Sequence, residues 1–368
     1  MTSDCRTDTG VARPERFAYN PFEIAIAGAP EGAGVMLAER LAQGPLSAYR
    51  VCVVQRGEEA EAIVATRCEE AGSVRTVRYE ANDETYLAPR PTLDADFALV
   101  VTTQNVSMPK LVWIDEDRPE QFDKVLAYVG HASACPILPA SARFFTEDDV
   151  EGIGGVLMAQ LESRIASMPL KGLVLVGGRS TRMQRDKAAL DYHGRPQVRH
   201  AFEMLAPYCT EVHVSCRGEQ ATKPVLAGLP LLHDRFLDMG PMGGILTALK
   251  SDPKSAWLAI ACDLPFLTEE TLRHLVDQRN PFKLATAYVS SQSGFPEPLC
   301  AIYEPKSVHR LAAFMALGYH CPRKVLINSD TRLLELPHAR ALDNVNSPGE
   351  YEAAREELEA GIAEARES

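Results

Sequence analysis

Short apolar runs alternate with longer amphipathic stretches along the chain, a pattern that is typical of α/β proteins. Apolar runs of strand length lie at residues 23–27, 50–55, 97–102, 110–114 and 123–129 in the first half, and at 172–176, 211–216, 256–261, 284–289 and 299–303 in the second. Stretches with helical spacing lie at 145–167, 196–208, 241–251, 268–279, 307–317 and 348–366. Because helices separate most of the strands, the sequence predicts mostly parallel sheets that are covered by helices on both faces.

One interruption, Met168-Pro169, divides this pattern into two halves. The helical stretch over 145–167 opens with the helix-start sequence Thr146-Glu-Asp-Asp and ends there, and a new strand begins at once with Leu170. The chain has 368 residues, enough for two domains of ordinary size. We therefore expect a loose polar tail at 1–20 and two three-layer α/β domains, at 21–167 and 168–368.

The amino-acid composition limits the classes of molecule that the protein can bind. The net charge of −12 argues against sequence-independent nucleic-acid binding, which needs a basic face. None of the nine cysteines forms a Cys-x-x-Cys pair, so we expect no structural zinc or iron–sulfur site, and free thiols fit a reducing cytoplasm. No apolar run approaches the roughly 18 residues that span a bilayer, and the first residues lack the apolar core of a signal peptide. We expect a cytoplasmic protein without nucleic-acid or membrane partners, in which local basic groups or a metal hold an anionic substrate.

The segment from Gly172 to Lys187 carries the clearest candidate chemistry. Its apolar strand ends at Gly177-Gly178, where the missing side chains let a ligand approach the backbone. Basic side chains follow at Arg179, Arg182, Arg185 and Lys187. Exposed backbone N–H groups and fixed positive charge at a strand end form a site for a polyphosphate, although a tight turn with solvated arginines is the alternative.

This segment resembles the signature Leu-Ala-Gly-Gly-x-x-x-Arg-Met-Gly-x-Asp-Lys of the molybdenum cofactor guanylyltransferases, which belong to a large nucleotidyltransferase superfamily. Val176 replaces the Ala of the signature, a mild change. Gln184 replaces a Gly, and if that position needs a positive φ, the replacement costs about 1–3 kcal/mol. The resemblance implies a nucleotidyltransferase-type Rossmann-like fold for residues 168–368.

A second motif lies at the end of the apolar run 256–261. There the chain reads Cys262-Asp263-Leu264-Pro265, and a carboxylate at a strand end can carry Mg²⁺ to a bound phosphate. A helix cap or a solvated turn is the alternative role for Asp263. The four residues resemble the family's Cys-Asp-x-Pro sequence at its magnesium position, and this resemblance favours the metal.

The resemblance extends to the residues that contact the guanine base and to those that border the pterin substrate. Asp234, which precedes the Gly-rich turn at 240–244, corresponds to the Asp that contacts the guanine nucleotide in the family, and a carboxylate can accept from the N1–H and the exocyclic amine together. Ser215 stands where the family often has an Asn at the nucleotide. Asn344 and Asn346 resemble the family's Asn-x-Asn-Thr-Pro motif, which borders the pterin site, although capping of the next helix is an alternative role.

The resemblance implies a complete reaction. A terminal phosphate of molybdopterin attacks the α-phosphorus of GTP, and pyrophosphate leaves. Asp263 holds Mg²⁺, Lys187 faces the α-phosphate and Arg182 holds the β- and γ-phosphates. The residues implied to contact GTP are Leu175, Val176, Gly177, Gly178, Lys187, Ser215, Asp234 and Asp263. No covalent intermediate is needed, so positioning and charge neutralisation do most of the catalysis.

The first domain has the outline of a P-loop without its chemical residues. Residues 23–40 read as strand, glycine loop and helix, but Gly34-Val35-Met36 stands where a P-loop has Gly-Lys-Thr. The sequences at 109–114 and 145–153 resemble the small P-loop adaptor protein that accompanies the guanylyltransferase. We interpret residues 21–167 as a degenerate adaptor-like domain that docks to cofactor-synthesis or molybdoenzyme partners. An unrelated α/β domain with a Gly-rich turn is the alternative.

Two rival functions stay open from the sequence. One is a nucleotidyltransferase that uses another nucleotide or acceptor, such as CTP or a sugar phosphate. Gly177-Gly178 and Asp234 argue against CTP. The related cytidylyltransferases usually carry Ala-Gly where this chain has Gly177-Gly178. The other is a non-catalytic protein that binds or delivers the cofactor. Gln184 and the empty P-loop favour that rival, whereas Lys187 and Asp263 oppose it.

Overall fold

In a computed structural model the chain forms two compact units, Met1–Glu162 and Ser163–Ser368. The structure describes residues 22–30, 32–56, 63–64, 74–76, 95–103, 105–114, 122–131, 138, 142–176 and 186–367. Both units are α/β folds with mostly parallel sheets, as the sequence predicts. Among the described residues, no helix combines the length and the apolar content that crossing a bilayer requires.

The first unit is built on one sheet with the order β3-β2-β5-β1-β6-β7-β8, and β4 pairs with β2. Its strands are β1 (Glu23–Ala27), β2 (Val51–Arg56), β3 (Ile63–Val64), β4 (Val74–Thr76), β5 (Phe97–Thr102), β6 (Lys110–Trp113), β7 (Val125–Gly130) and β8 (Phe144–Thr146). Two helices are described in this part of the chain, α1 (Ala33–Gln43) and α2 (Val150–Ala166). All residues of β1 and β5 are buried, as expected for central strands that are covered on both faces.

The turn between β1 and α1 explains the glycines of the degenerate P-loop. Gly28 has a φ of +76°, a conformation that favours glycine. A Cβ added at Gly34 would lie only 2.6 Å from Val101 Cγ1, so this glycine lets α1 pack closely against β5. The predicted strand, glycine turn and helix are therefore present. Val35 and Met36 occupy the first turn of α1, and Met36 is 64% exposed.

The second unit has a sheet with the order β11-β10-β9-β12-β14-β13-β15, in which β14 runs antiparallel to both neighbours. Its strands are β9 (Leu170–Leu175), β10 (Val212–Cys216), β11 (Leu231–His233), β12 (Ala256–Ala261), β13 (Ala285–Val289), β14 (Pro296–Tyr303) and β15 (Thr331–Leu334). Its helices are α3 (Gln197–Leu205), α4 (Pro241–Ser251), α5 (Glu269–Asp277), α6 (Ser307–Ala316), α7 (Pro322–Ile327) and α8 (Pro348–Glu367).

Strand β12 lies at the centre of the three layers. Its side chains point alternately to the two faces of the sheet, as in any strand. Leu258 and Ile260 belong to the hydrophobic core under α3 and α5, whereas Trp257 and Ala259 belong to the core under α4, α6 and α7. Because β9 and β10 run parallel to β12, their carboxyl ends meet at one edge of the sheet.

The predicted helix start at 146 is wrong. Phe144–Thr146 forms strand β8, and helix α2 begins at Val150. The capping side chain is that of Asp149, whose Oδ1 accepts from the Gly152 backbone N–H at 2.9 Å. The helix-start sequence is thus used three residues later than predicted, because β8 pairs with β7 first.

Other differences concern short elements. Strand β14 begins at Pro296 rather than at 299, and the sequence analysis missed β3, β4, β11, β15 and α7. These missed strands have two to four residues each, and α7 has six. Such lengths are too short to show a period.

Candidate active site

A cluster of three side chains lies at the carboxyl edge of the second sheet. Lys187 Nζ donates to Asp263 Oδ2 at 2.8 Å and to Asn346 Oδ1 at 2.7 Å. The side chains of Lys187 and Asp263 are each 20% exposed, so the pair is partly shielded and yet open to a ligand. The structure therefore brings together three of the predicted site residues, which the sequence separates by 76 and 159 positions.

Lys187 is held in place through the residue before it. Asp186 caps the short 3-10 turn Lys187–Ala189, and its Oδ1 accepts from the Ala188 backbone N–H at 3.2 Å. The other carboxylate oxygen accepts from Lys223 Nζ at 2.6 Å. Lys223 is not predictable as a site residue, because nothing in its local sequence distinguishes it from a solvated lysine.

Asp263 sits two residues beyond β12, on backbone that neighbouring segments hold. The backbone N–H of Cys262 donates to the Leu175 carbonyl oxygen at 3.2 Å, and the Asp263 carbonyl oxygen accepts from the Val345 N–H at 3.2 Å. Cys262 is buried, and this burial raises the pKa of its thiol, which stays protonated. Cys262 therefore acts as a small apolar side chain below Asp263.

The segment before α8 caps that helix and also contacts Lys187, while its predicted place at the acceptor site stays a prediction. Glu350 Oε2 accepts from the Asn346 backbone N–H at 2.7 Å, and Ser347 Oγ accepts from the Glu350 N–H at 3.3 Å, which caps the helix start. The Asn346 side chain remains directed at Lys187. Asn344 is exposed and has no bond to Lys187; instead it lines a cavity beside Asp263.

Ser215 and Asp234 form a second cluster, on the other side of β9 from β12. Ser215 Oγ donates to Asp234 Oδ1 at 2.5 Å, and the Asp234 backbone N–H donates to the Cys216 carbonyl oxygen at 2.9 Å. Burial raises the pKa of Asp234, and the Ser215 hydrogen bond works against that rise. The carboxylate is thus partly buried, and one of its oxygens has no hydrogen bond among the described residues.

Gly243 and Gly244, at the start of α4, are crowded by protein atoms. A Cβ added at Gly244 would lie 2.4 Å from Ser215 Oγ and 2.8 Å from Leu175 Cδ2, and one at Gly243 would lie 2.4 Å from the Phe236 carbonyl oxygen. Gly244 therefore lets α4 pack against the ends of β9 and β10, and Gly243 lets α4 pack against the loop at Phe236. Within the described residues they serve packing, not the approach of a ligand.

Leu175, the last residue of β9, and Val176, which follows the strand, have buried side chains. Leu175 contributes its carbonyl oxygen to Cys262, and the Val176 N–H donates to the Ser215 carbonyl oxygen at 3.3 Å. These bonds join β9 to the strands that carry Asp263 and Ser215. Gly177, Gly178, Arg182 and Gln184 lie outside the described residues, so their roles stay predictions.

The donors in the first cluster suit a hard divalent cation. Asp263 offers a carboxylate and Asn346 an amide oxygen, and Mg²⁺ prefers such oxygens and keeps several positions for water and phosphate. No group of three or more His, Cys, Asp or Glu side chains with metal-binding geometry occurs in the described part of the chain. An all-protein cage is therefore not formed by these residues, whereas a site completed by substrate phosphates fits them.

The second unit is similar to proteins of a known family. Residues 172–332 match the MobA-like NTP transferase domain family, so the second unit is a nucleotidyltransferase domain. The molybdenum cofactor guanylyltransferase of Pseudomonas putida is 30% identical over 190 residues, which cover 50% of this chain and 96% of that protein. The chain belongs to the molybdenum cofactor guanylyltransferase family.

Two further similar proteins show how far the match extends. A molybdenum cofactor biosynthesis bifunctional protein of Synechocystis sp. is 40% identical over 187 residues, which cover 51% of this chain and 54% of that protein. The chain thus matches about half the length of that relative. The crystal structure of molybdopterin-guanine dinucleotide biosynthesis protein A from Archaeoglobus fulgidus has 22% identity, covers 52% of this chain and 99% of that chain, and gives a TM-score of 0.44. The adaptor-like interpretation of residues 21–167 stays a prediction.

We expect Lys223→Met to lower kcat/KM for nucleotidyl transfer several-fold while leaving thermal stability almost unchanged. Lys223 and Asp186 are 36% and 30% exposed, and pairs of this exposure contribute up to about 1 kcal/mol. Loss of the Lys223–Asp186 ion pair should loosen the cap of the 3-10 turn that positions Lys187. Lys250→Met, on the exposed end of α4, is the matched control. Equal turnover in the two variants would show that Lys223 does not position Lys187.

A histidine pair beside the Asp263 loop predicts a loss of stability in mild acid. His193 stacks on His200 with ring centroids 3.8 Å apart, and Arg195 Nη2 donates to His200 Nδ1 at 3.1 Å, which requires a neutral ring. Burial, followed by the neighbouring His193 and Arg195, lowers the pKa of His200 to about 4, against 6.5 for an unperturbed histidine. Between these two pH values the unfolded chain binds a proton at His200 that the native chain does not.

The free energy of unfolding should therefore fall as the pH decreases from about 6.5 towards 4. His200→Gln should flatten this dependence, which urea unfolding at neutral pH and at mildly acidic pH would measure. His320→Gln, on an exposed loop, is the control and should keep the slope of the unchanged chain. An unchanged slope in His200→Gln would contradict the assignment.

Proposed function

We propose that this chain transfers GMP from GTP to the phosphate of molybdopterin or its molybdenum form, with release of pyrophosphate. The observation that carries the proposal is the contact of Lys187 with both Asp263 and Asn346 at the carboxyl edge of the sheet. One cation and two oxygen ligands thereby meet at the place where parallel sheets bind phosphates. Family membership supports the same reaction.

In this proposal Asp263 and Asn346 hold Mg²⁺, which neutralises phosphate charge when it is bound. Lys187 Nζ, which the two side chains hold in the unliganded chain, turns to the α-phosphate and offsets the charge that develops there. The acceptor phosphate attacks directly, so no side chain has to form a bond to the nucleotide. The residues of this site bind and orient the two substrates so that the attacking and leaving oxygens lie in line.

Asp234 is the proposed reader of the guanine base. Its half-buried carboxylate can accept from the N1–H and the 2-amino group together, and cytosine does not offer this pair of donors on one edge. A site built for these hydrogen bonds leaves a buried carboxylate unpaired when another base enters, which discriminates strongly. Ser215 fixes the orientation of the carboxylate from below.

The test is a pyrophosphate-release assay with Mg²⁺, each nucleoside triphosphate in turn, and molybdopterin or its molybdenum form. We expect turnover with GTP that exceeds turnover with CTP or ATP. Asp234→Asn should raise KM for GTP far more than for CTP. Equal kcat/KM for GTP and CTP in the unchanged chain would refute GTP as the donor, and turnover only with another acceptor would refute molybdopterin.

We also propose that the first unit docks the chain to a partner of cofactor synthesis or to a molybdoenzyme. A P-loop needs a Lys on the phosphates and a hydroxyl on Mg²⁺, and Val35 and Met36 supply neither. The full chain should therefore release no phosphate from GTP or ATP in the absence of an acceptor. Phosphate release that Gly34→Val removes would show that this loop is a working NTPase instead.

A further inference from the structure

A cavity of about 210 Å³ opens beside Asp263 on the side of β12 away from Ser215 and Asp234. Strand β12 has β9 on one side and β14 on the other, and the cavity is lined from the β14 side, by Glu297 among others. Ser215 and Asp234 lie on the β9 side, whereas Asp263 follows β12 itself and lines the cavity. The cavity is therefore next to the reacting centre, and separate from Asp234.

Three of its four charged lining side chains are carboxylates. Carboxylates come from Asp263, Glu297 and Asp343, and the basic residue among the lining residues is Arg323. Asp343 is occupied, because Gln292 Nε2 donates to it at 2.8 Å and Arg340 Nε at 3.2 Å. A free anion would be repelled by such walls, whereas a neutral ring with N–H donors would be attracted.

Glu297 and Arg323 have unused hydrogen-bonding capacity. Both carboxylate oxygens of Glu297 accept from the same atom, Arg323 Nη2, at 3.1 and 3.2 Å, which leaves further lone pairs on each oxygen. Arg323 Nε is buried and has no hydrogen-bond partner. The Arg323 side chain is 38% exposed, so its guanidinium can donate to an acceptor of a ligand as well as to Glu297.

A ligand that completes the pair must present two adjacent N–H donors to Glu297 and an oxygen to Arg323. A 2-amino-4-oxo-pyrimidine edge has these groups in this order: the 2-amino group, the ring N3–H and the 4-oxo oxygen. A pterin carries this edge. We propose that Glu297 and Arg323 bind the pterin ring of the acceptor substrate through it, an inference that rests on the proposed function for the identity of the acceptor.

Guanine presents the same sequence of donor, donor and acceptor on its own edge. The chain thus has one carboxylate for each ring, Asp234 on the β9 side of β12 and Glu297 on the β14 side. The position of Asp263 between them suits a reaction that joins a guanine nucleotide to a pterin. Glu297 and Arg323 were missed from the sequence, since only the fold brings α7 against the start of β14.

The test compares two ring compounds on the full chain. Pterin carries the 2-amino-4-oxo edge, and lumazine has an oxygen in place of the 2-amino group. Both are titrated by fluorescence in the presence of Mg²⁺ and saturating α,β-methylene GTP, which fills the guanine pocket and cannot transfer GMP. We expect pterin to bind about tenfold or more tightly than lumazine, as for one lost hydrogen bond to a charged group.

Glu297→Gln should remove this preference and leave the affinity for α,β-methylene GTP unchanged. Glu356→Gln, on the exposed face of α8, is the matched control and should keep the preference. Thermal unfolding of both variants verifies that the fold is intact, and Arg323→Met, which should weaken pterin binding, is the second variant.

Equal affinities for pterin and lumazine in the unchanged chain, or a preference that Glu297→Gln preserves, would overturn the inference. Displacement of pterin by α,β-methylene GTP would also overturn it, because the pterin would then occupy the guanine pocket. These binding results are independent of the proposed GMP transfer. The proposed GMP transfer fails instead when no pyrophosphate is released from GTP in the presence of molybdopterin or its molybdenum form.

Discussion

Asp263→Asn should lower kcat/KM for GMP transfer by at least about a hundredfold, and by a thousandfold if Asp263 is the main protein ligand of the metal. The substitution keeps the shape of the side chain and removes the negative charge that attracts Mg²⁺. It also removes the charge partner of Lys187, whose Nζ lies 2.8 Å from Asp263 Oδ2. Turnover measured at increasing Mg²⁺ concentration should show a higher Mg²⁺ requirement as well as a lower maximum.

The fold should survive this change. The Asp263 side chain is 20% exposed, and the contacts that hold the loop use its backbone carbonyl, not its carboxylate. Thermal unfolding of Asp263→Asn should therefore resemble that of Asp277→Asn, a matched loss of a carboxylate on an exposed position of α5. Full turnover in Asp263→Asn would refute the metal assignment. If Asp263→Asn lost its fold together with its turnover, Asp263→Glu would be measured instead, because this variant keeps the negative charge.

The sequence predicted Lys187 and Asp263 at the same edge of one sheet, but it did not predict the strand order that brings them into contact. Asp263 follows β12 by two residues and Lys187 follows β9 by twelve, and β9 and β12 are neighbours with Leu175 opposite Ala261. Carboxyl ends of adjacent parallel strands lie side by side, so a long separation along the chain does not matter. Resemblance then predicted which of the residues at this edge carry the chemistry.

The role of Asn346 could be predicted in part. The sequence offered two uses for the segment before α8, a cap or a site residue, and the structure uses its backbone and Ser347 for the cap and the Asn346 side chain for Lys187. Asn346 can serve the helix cap and the site together, because its backbone N–H bonds to Glu350 and its side chain bonds to Lys187. Local sequence patterns do not separate such roles.

Lys223, Glu297 and Arg323 show what sequence reasoning could not find. Lys223 meets Asp186 across 37 positions, and Arg323 meets Glu297 across 26 positions. Each contact depends on where a short element ends: a loop after β10 in the first case, and α7 against an antiparallel strand in the second. Because α7 and the start of β14 were not predicted, no pattern could have placed these side chains together.

Lys187→Met should have opposite effects on metal binding and on turnover. In the unliganded chain Lys187 Nζ occupies Asp263 Oδ2 at 2.8 Å and Asn346 Oδ1 at 2.7 Å, the same oxygens that are proposed to hold Mg²⁺. The lysine thus competes with the metal until the nucleotide draws it to the α-phosphate. Without it, Mg²⁺ should bind the nucleotide-free chain more tightly, because two oxygen ligands are freed and a positive charge is removed.

Turnover should fall in the same variant by roughly ten- to a hundredfold, because a hydrogen bond to a charged group contributes about 1.5–3 kcal/mol. Calorimetric titration of Mg²⁺ into the nucleotide-free chain and the pyrophosphate-release assay measure the two effects on the same preparation. Lys250→Met, which removes an exposed lysine of α4, should change neither. Lys187→Arg keeps the positive charge and should keep Mg²⁺ binding weak. Weaker Mg²⁺ binding in Lys187→Met than in the unchanged chain would contradict the competition, and turnover equal to that of Lys250→Met would refute the role of Lys187 at the α-phosphate.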